Sequence, residues 1–166
     1  MNITVIIVAC LLLAAIMGVT KMMTDRSIKM QSLDNGKTVK GIVLPLRLQA
    51  YERMALFLER IEPNQLVMRI HSAGLNVAQE QNLLLTAIRS EYEHNLSQQI
   101  YISTPVWNQI NGAKDDIIDI INAVAATFPP TEDSLAFAEA LLAAAAEKPV
   151  VYQAMAVLKA DVQKLY

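Results

Sequence analysis

The stretch Ile3–Thr20 carries no charged side chain and almost no polar one, and nothing else in the chain limits its fold so sharply. As a helix it would span about 27 Å at 1.5 Å per residue, close to the ~30 Å hydrocarbon core of a bilayer. A helix packed on a soluble core keeps a polar face, and none runs along this segment. The expectation is a single transmembrane helix over residues 1–23, with Lys21 extending its amine towards the headgroups.

Two kinds of processing compete with an anchor. A cleaved signal peptide wants a basic segment first, and Met1-Asn2 supplies only the terminal amine. Ile7-Val8-Ala9-Cys10 resembles a lipoprotein signal, but Leu11, Leu12 and Leu13 follow where polar residues should begin. Cys10 is therefore read as a small apolar side chain in the membrane, and as the only cysteine it can form no intramolecular disulfide. Ala14 and Gly18, four apart, would let two such helices approach closely, so a homo-oligomer is one expectation. Lys21, Arg26, Lys29, Lys37 and Lys40 follow the run against only Asp25 and Asp34. Basic flanks stay inside, which orients the C-terminal part to the cytoplasm.

The charge balance then changes sign. Residues 41–166 hold nine Lys/Arg against fourteen Asp/Glu, a net of −5, whereas residues 21–40 carry +3. An acidic domain is a poor match for phosphate backbones, so nucleic acid is excluded as a partner. The basic stretch suits anionic lipid.

Residues 24–43 lack helical periodicity, and Asp34-Asn35-Gly36 is a tight-turn signal; a flexible linker is expected, with a short hairpin as the alternative. From Pro45 the pattern is helical. Leu44, Leu48, Tyr51, Ala55 and Leu58 recur at steps of four and three, widened by Met54, Phe57 and Ile61, with Pro45 in the first turn. Asn76 with Gln79 forms a capping box for a helix carrying Leu84, Ile88, Tyr92 and Leu96. Thr104-Pro105 opens another, with Ile110, Ile117, Ile121, Val124 and Phe128 inward. Pro129-Pro130 ends it, Thr131 caps an Ala-rich helix whose exposed start includes Ser134, and Pro149 opens the last. The fold class is all-α, with a compact bundle of about five helices over 44–166.

Leu44-Pro45-Leu46-Arg47-Leu48-Gln49-Ala50-Tyr51-Glu52-Arg53 and Arg89–Tyr101 resemble an uncharacterised family of small bacterial proteins. The resemblance implies a membrane-anchored helical protein of the bacterial inner membrane. It brings no activity and no catalytic residues.

Chemistry-bearing patterns are incomplete. Asp115, Asp116 and Asp119 match the Asp-Asp-x-x-Asp spacing that resembles a magnesium–diphosphate motif, and Asp115 and Asp119 share one helical face. The second acidic motif that such chemistry needs is missing. Glu91-x-x-His94 has the spacing of di-iron bundles but occurs once. There is no Gly-x-Ser-x-Gly elbow and no phosphate-binding glycine loop. The reading is a non-enzyme without metal or cofactor: a membrane-tethered interaction module, scaffold or accessory subunit with an unidentified protein partner. Its candidate surface comprises Arg53, Leu56, Arg60, Arg89, Glu91, Glu93 and His94. A membrane-surface enzyme holding Mg²⁺ at the aspartates is one alternative. A sensor of pH or lipid charge through His94 or the basic stretch is another.

Overall fold

In a computed structural model the description covers residues 3–165, with the side chains of 4–11, 14, 15 and 27–40 outside it. Six α-helices follow in order: α1 Ile3–Ile61, α2 Pro63–Ile70, α3 Val77–Asn95, α4 Thr104–Ala125, α5 Leu135–Glu147 and α6 Val150–Val162. Short 3₁₀ turns close α3 and α6. Among the described residues there is no strand, only an isolated bridge between Asn76 and Asp133. The chain divides into two compact units, Met1–Leu44 and Pro45–Tyr166.

In the first unit the flexible linker expected over 24–43 is replaced by helix, and so is the alternative hairpin. The α1 backbone stays helical through Asp34-Asn35-Gly36. The reason is cooperativity. A glycine inside a helix costs about 1 kcal/mol, whereas breaking and restarting a helix costs about 4 kcal/mol for a nucleation constant near 10⁻³. The same balance holds Pro45 inside α1 instead of in a first turn, at a penalty of about 3 kcal/mol for the missing N–H and the crowded carbonyl.

Half of the expected membrane segment lies outside the described side chains. The large apolar ones described are exposed: Leu12, Leu13, Ile16, Met17, Val19, Met22 and Met23 lie between 56% and 68%, and Ile3 at 76%. The hydroxyls of Thr20 and Thr24 donate back to the carbonyls of Met17 (3.0 Å) and Thr20 (2.8 Å), so both polar groups are satisfied within the helix. Among the described residues no single helix is long and apolar enough to cross a membrane. The pair α5 and α6 passes that test only together, across a 46° bend. Phe137, Leu141, Val150, Val151 and Leu158 of this pair are buried in the core of the second unit.

That core is one cluster. The last four turns of α1 contribute Tyr51, Met54, Phe57, Leu58 and Ile61, and α4 contributes Ile110, Ile117 and Ile121, all nearly inaccessible. Each such side chain contributes about 1.5–3 kcal/mol of burial. Helix α4 lies against α3, α5 and α6 and is the central element. Phe57, Tyr92 and Trp107 form an aromatic row with centroids 6.1 and 6.0 Å apart, and Lys114 Nζ sits 4.3 Å over the Tyr92 ring. The inward stripes follow the sequence except at Leu96, which is 38% exposed.

The caps follow local chemistry where nothing competes. The Asn76 side chain accepts from Gln79 N at 2.9 Å and Gln79 returns the bond to Asn76 N at 3.0 Å. The start of α5 differs from expectation. Thr131 is not its cap, and Ser134 is buried at 1% exposure instead of solvent-facing. Backbone bonds Val77 N to Glu132 O (3.0 Å), Ala78 N to Pro130 O (3.1 Å) and Ser134 N to Leu75 O (3.0 Å) hold 130–134 against the start of α3 and move the cap from Thr131 to Ser134.

Candidate functional site

Helical spacing puts Gln49, Glu52, Arg53, Leu56 and Arg60 on one face of α1, opposite its buried stripe. On α3, Glu91, His94 and Asn95 share the side turned to that face. Between them lies a groove of about 360 Å³ with Phe57 at its base. Arg60 Nη2 reaches Glu91 Oε1 at 2.6 Å and ties the two banks together. Asn95, buried at 7% exposure, donates to the Glu91 carbonyl at 2.8 Å, and Arg69 donates to the Arg60 carbonyl at 3.1 Å. Leu56 stands half exposed in the middle of these polar groups. The groove therefore offers one apolar contact point ringed by Arg53, Glu52 and His94, a pattern suited to a side chain of a protein partner.

Of the residues expected on an interaction surface, Arg53, Leu56, Arg60, Glu91 and His94 line this groove. Arg89 and Glu93 do not. They are exposed on the opposite side of α3, two residues either way of Glu91 and so about half a turn round.

The acidic cluster on α4 is engaged by lysines. Asp115 Oδ1 lies 2.9 Å from Lys114 Nζ, Asp116 Oδ1 lies 2.8 Å from Lys148 Nζ, and Asp119 is exposed. Glu91 turns to Arg60 and not to His94. Among the described residues no three His, Cys, Asp or Glu side chains are grouped to hold a metal ion.

Sequence reading missed two polar centres. In the first, Tyr51 and Ser103 both donate to Asp161 Oδ2, at 2.6 and 2.7 Å, while Lys164 Nζ approaches Oδ1 at 3.2 Å. This ties α1, the start of α4 and the end of α6. The hydrogen bonds from Tyr51 and Ser103 hold the Asp161 carboxyl below its ordinary value. Burial, followed by the bond to Asp161, pushes the Tyr51 hydroxyl above its own. In the second, Glu80 is wholly inaccessible, and its Oε2 lies 2.9 Å from His71 Nδ1 while Oε1 has no protein partner. The signal was present: Glu80 precedes Leu84 and Ile88 at steps of four, on the buried stripe of α3.

Comparison with family models settles the chain's kinship. Residues 1–165 match the model of a family of unknown function, DUF7935. The chain belongs to the DUF7935 family. Comparison with curated proteins and with solved structures gives no match. The DUF7935 match spans both units, so the apolar N-terminal helix and the helical bundle belong to one family pattern.

Proposed function

We propose that this DUF7935 member is a membrane-tethered interaction module, a scaffold or accessory subunit of a bacterial inner-membrane assembly, which offers the α1–α3 groove to a protein partner on the cytoplasmic side. The observation that carries the reading is the cover missing from the first unit. By helical spacing Leu12, Leu13, Ile16, Met17, Val19, Met22 and Met23 cover about 220° of the circumference of α1, the rest carrying Gly18 and, at the end of the run, Lys21, and all seven are exposed. Left in water, seven such side chains forgo roughly 10–20 kcal/mol of burial, which a bilayer would supply. A helix apolar on all sides belongs inside a protein core or a membrane, and α1 is the one described element of this unit. The second unit supports the module through a filled core and a groove that joins one exposed leucine to paired charges.

The test is membrane extraction combined with topology. The full chain should stay with membranes in alkaline carbonate, and a chain with Leu12, Leu13 and Ile16 replaced by Ser should be released. With Cys10→Ala and Glu132→Cys, at an exposed position between α4 and α5, an impermeant thiol reagent should label the protein only after cells are lysed. Release of the unaltered chain by carbonate would remove the anchor. Labelling in cells with an intact inner membrane would put the groove on the other side.

A further inference from the structure

The second unit has a larger concavity, away from the α1–α3 groove, where α5 turns into α6. Its volume is about 510 Å³. The small side chains Ala145 and Ala146 leave the space, Ile117 of α4 and Val151 floor it, and Met155 and Tyr152 form a wall along α6. Tyr152 is 79% exposed, so a large aromatic stands in solvent beside an apolar hollow. Tyrosines in that position are frequent anchors of binding energy, because the ring adds contact area at little entropic cost and the hydroxyl stays wet.

The charges around the hollow are sorted. Glu59 and Glu62 lie on the bank made by α1 and α2, and Lys148 and Lys159 on the bank made by α6 and the loop before it. Two of the four have internal duties: Glu62 caps α2 through Gln65 N at 3.0 Å, and Lys148 meets Asp116 at 2.8 Å. Glu59 and Lys159 have no ion-pair partner among the described residues, so one carboxylate on α1 and one ammonium on α6 border the same hollow. Neither a uniformly acidic nor a uniformly basic ligand satisfies both banks.

We infer that this hollow is a second docking site, which takes an amphipathic helix of a partner protein whose apolar stripe is flanked by basic residues on one side and acidic residues on the other. The stripe covers Ala145, Ala146 and Met155 and stacks on Tyr152. The basic flank meets Glu59, and the acidic flank meets Lys159. Opposite banks contribute to selectivity more than to affinity, since a like charge brought against either bank is repelled. The inference does not rest on the α1–α3 groove and adds a second partner contact on another face of the bundle.

The probe is a synthetic helical peptide with a leucine stripe, lysines along one flank, glutamates along the other, and a benzophenone at the stripe's centre. It is mixed with the full chain in lipid nanodiscs, with empty discs as reference, and crosslinks are mapped by mass spectrometry. Crosslinks should fall on Met155 and Tyr152, and the mixed-flank peptide should bind at least about tenfold more tightly than all-lysine or all-glutamate versions. Tyr152→Ala, at an exposed position, should weaken binding about 30-fold without unfolding the chain, the loss of one anchor. Glu59→Lys should shift preference to the all-glutamate peptide, and Lys159→Glu to the all-lysine one. Equal binding of the three peptides, crosslinks confined to the α1–α3 groove, or binding indifferent to the Glu59 and Lys159 changes would each overturn the proposal. So would chain-to-chain crosslinks through Tyr152 or an amphiphile retained in the hollow, which identify a second copy or a lipid as occupant.

Discussion

Replacing Asp161 tests how the second unit is held together. Its carboxylate receives Tyr51 and Ser103 on one oxygen at 2.6 and 2.7 Å, and Lys164 on the other at 3.2 Å. A hydrogen bond to a charged group contributes about 1.5–3 kcal/mol net, so the two hydroxyl bonds together bound the effect at about 3–6 kcal/mol. Ser103 is half-buried and water can replace Asp161 there, whereas Tyr51 is only 3% exposed. The expected loss for Asp161→Ala is therefore about 2–3 kcal/mol, carried mainly by the stranded Tyr51 hydroxyl. The lone tryptophan, Trp107, stacks on Tyr92 in this unit and reports its unfolding. In urea, with the full chain in mild detergent, the midpoint should fall by roughly 1–2 M for a slope near 2 kcal/mol per molar. Tyr51→Phe should cost about 1–2 kcal/mol in the wild type and almost nothing when Asp161 is already Ala. The pH dependence follows from the two shifts. Asp161 is held below its ordinary value, so its contribution is complete above the unfolded carboxylate value of about 3.9 and is lost as pH falls through the folded one. Tyr51 is raised, so its contribution is complete below about 10 and is lost as pH rises through the higher folded value. Asp161→Asn should flatten the acid limb. Full additivity of Tyr51→Phe and Asp161→Ala would refute the network.

The other predictions concern single sites. His71→Ala should cost about 1–3 kcal/mol in the same urea assay, because it leaves the inaccessible Glu80 carboxyl without its protein hydrogen-bond partner, and adding Glu80→Leu should recover much of that. Gly112→Ala should raise stability by about 0.5–1 kcal/mol, since Gly112 is helical and nothing lies within 4 Å of an added methyl. Gly74→Ala should lower stability by about 1 kcal/mol although space is equally open, because its φ of +89° disfavours any side chain. A double-mutant cycle on Arg60 and Glu91 should return at most about 1 kcal/mol, as Arg60 is 54% exposed; their replacement should weaken partner binding more than folding.

The α1–α3 groove was half legible in the residues. An exposed leucine among arginines on a helix face marked one bank, and Glu91 and His94 marked the other, but their meeting depended on how α3 crosses α1. Arg89 and Glu93 were drawn in by sequence neighbourhood, which on a helix turns alternate residues to opposite sides. The hollow beside Tyr152 left a fainter trace. Ala145 and Ala146 are small, but that they line open space depends on the break at Lys148-Pro149, which swings α6 aside.

What the sequence determined by itself is local and periodic: the all-α class, the stripes of α1, α3 and α4, the Asn76 capping box and the apolar N-terminal run. These follow from interactions within four residues, where spacing alone says which side chains share a face. Tertiary structure decided the rest. It held 130–134 in bonds to the α3 N-terminus, burying Ser134. It also brought Asp161 to Tyr51, 110 residues away in the chain. Such pairings depend on helix crossings, and no residue's own preference encodes where a neighbouring helix will lie.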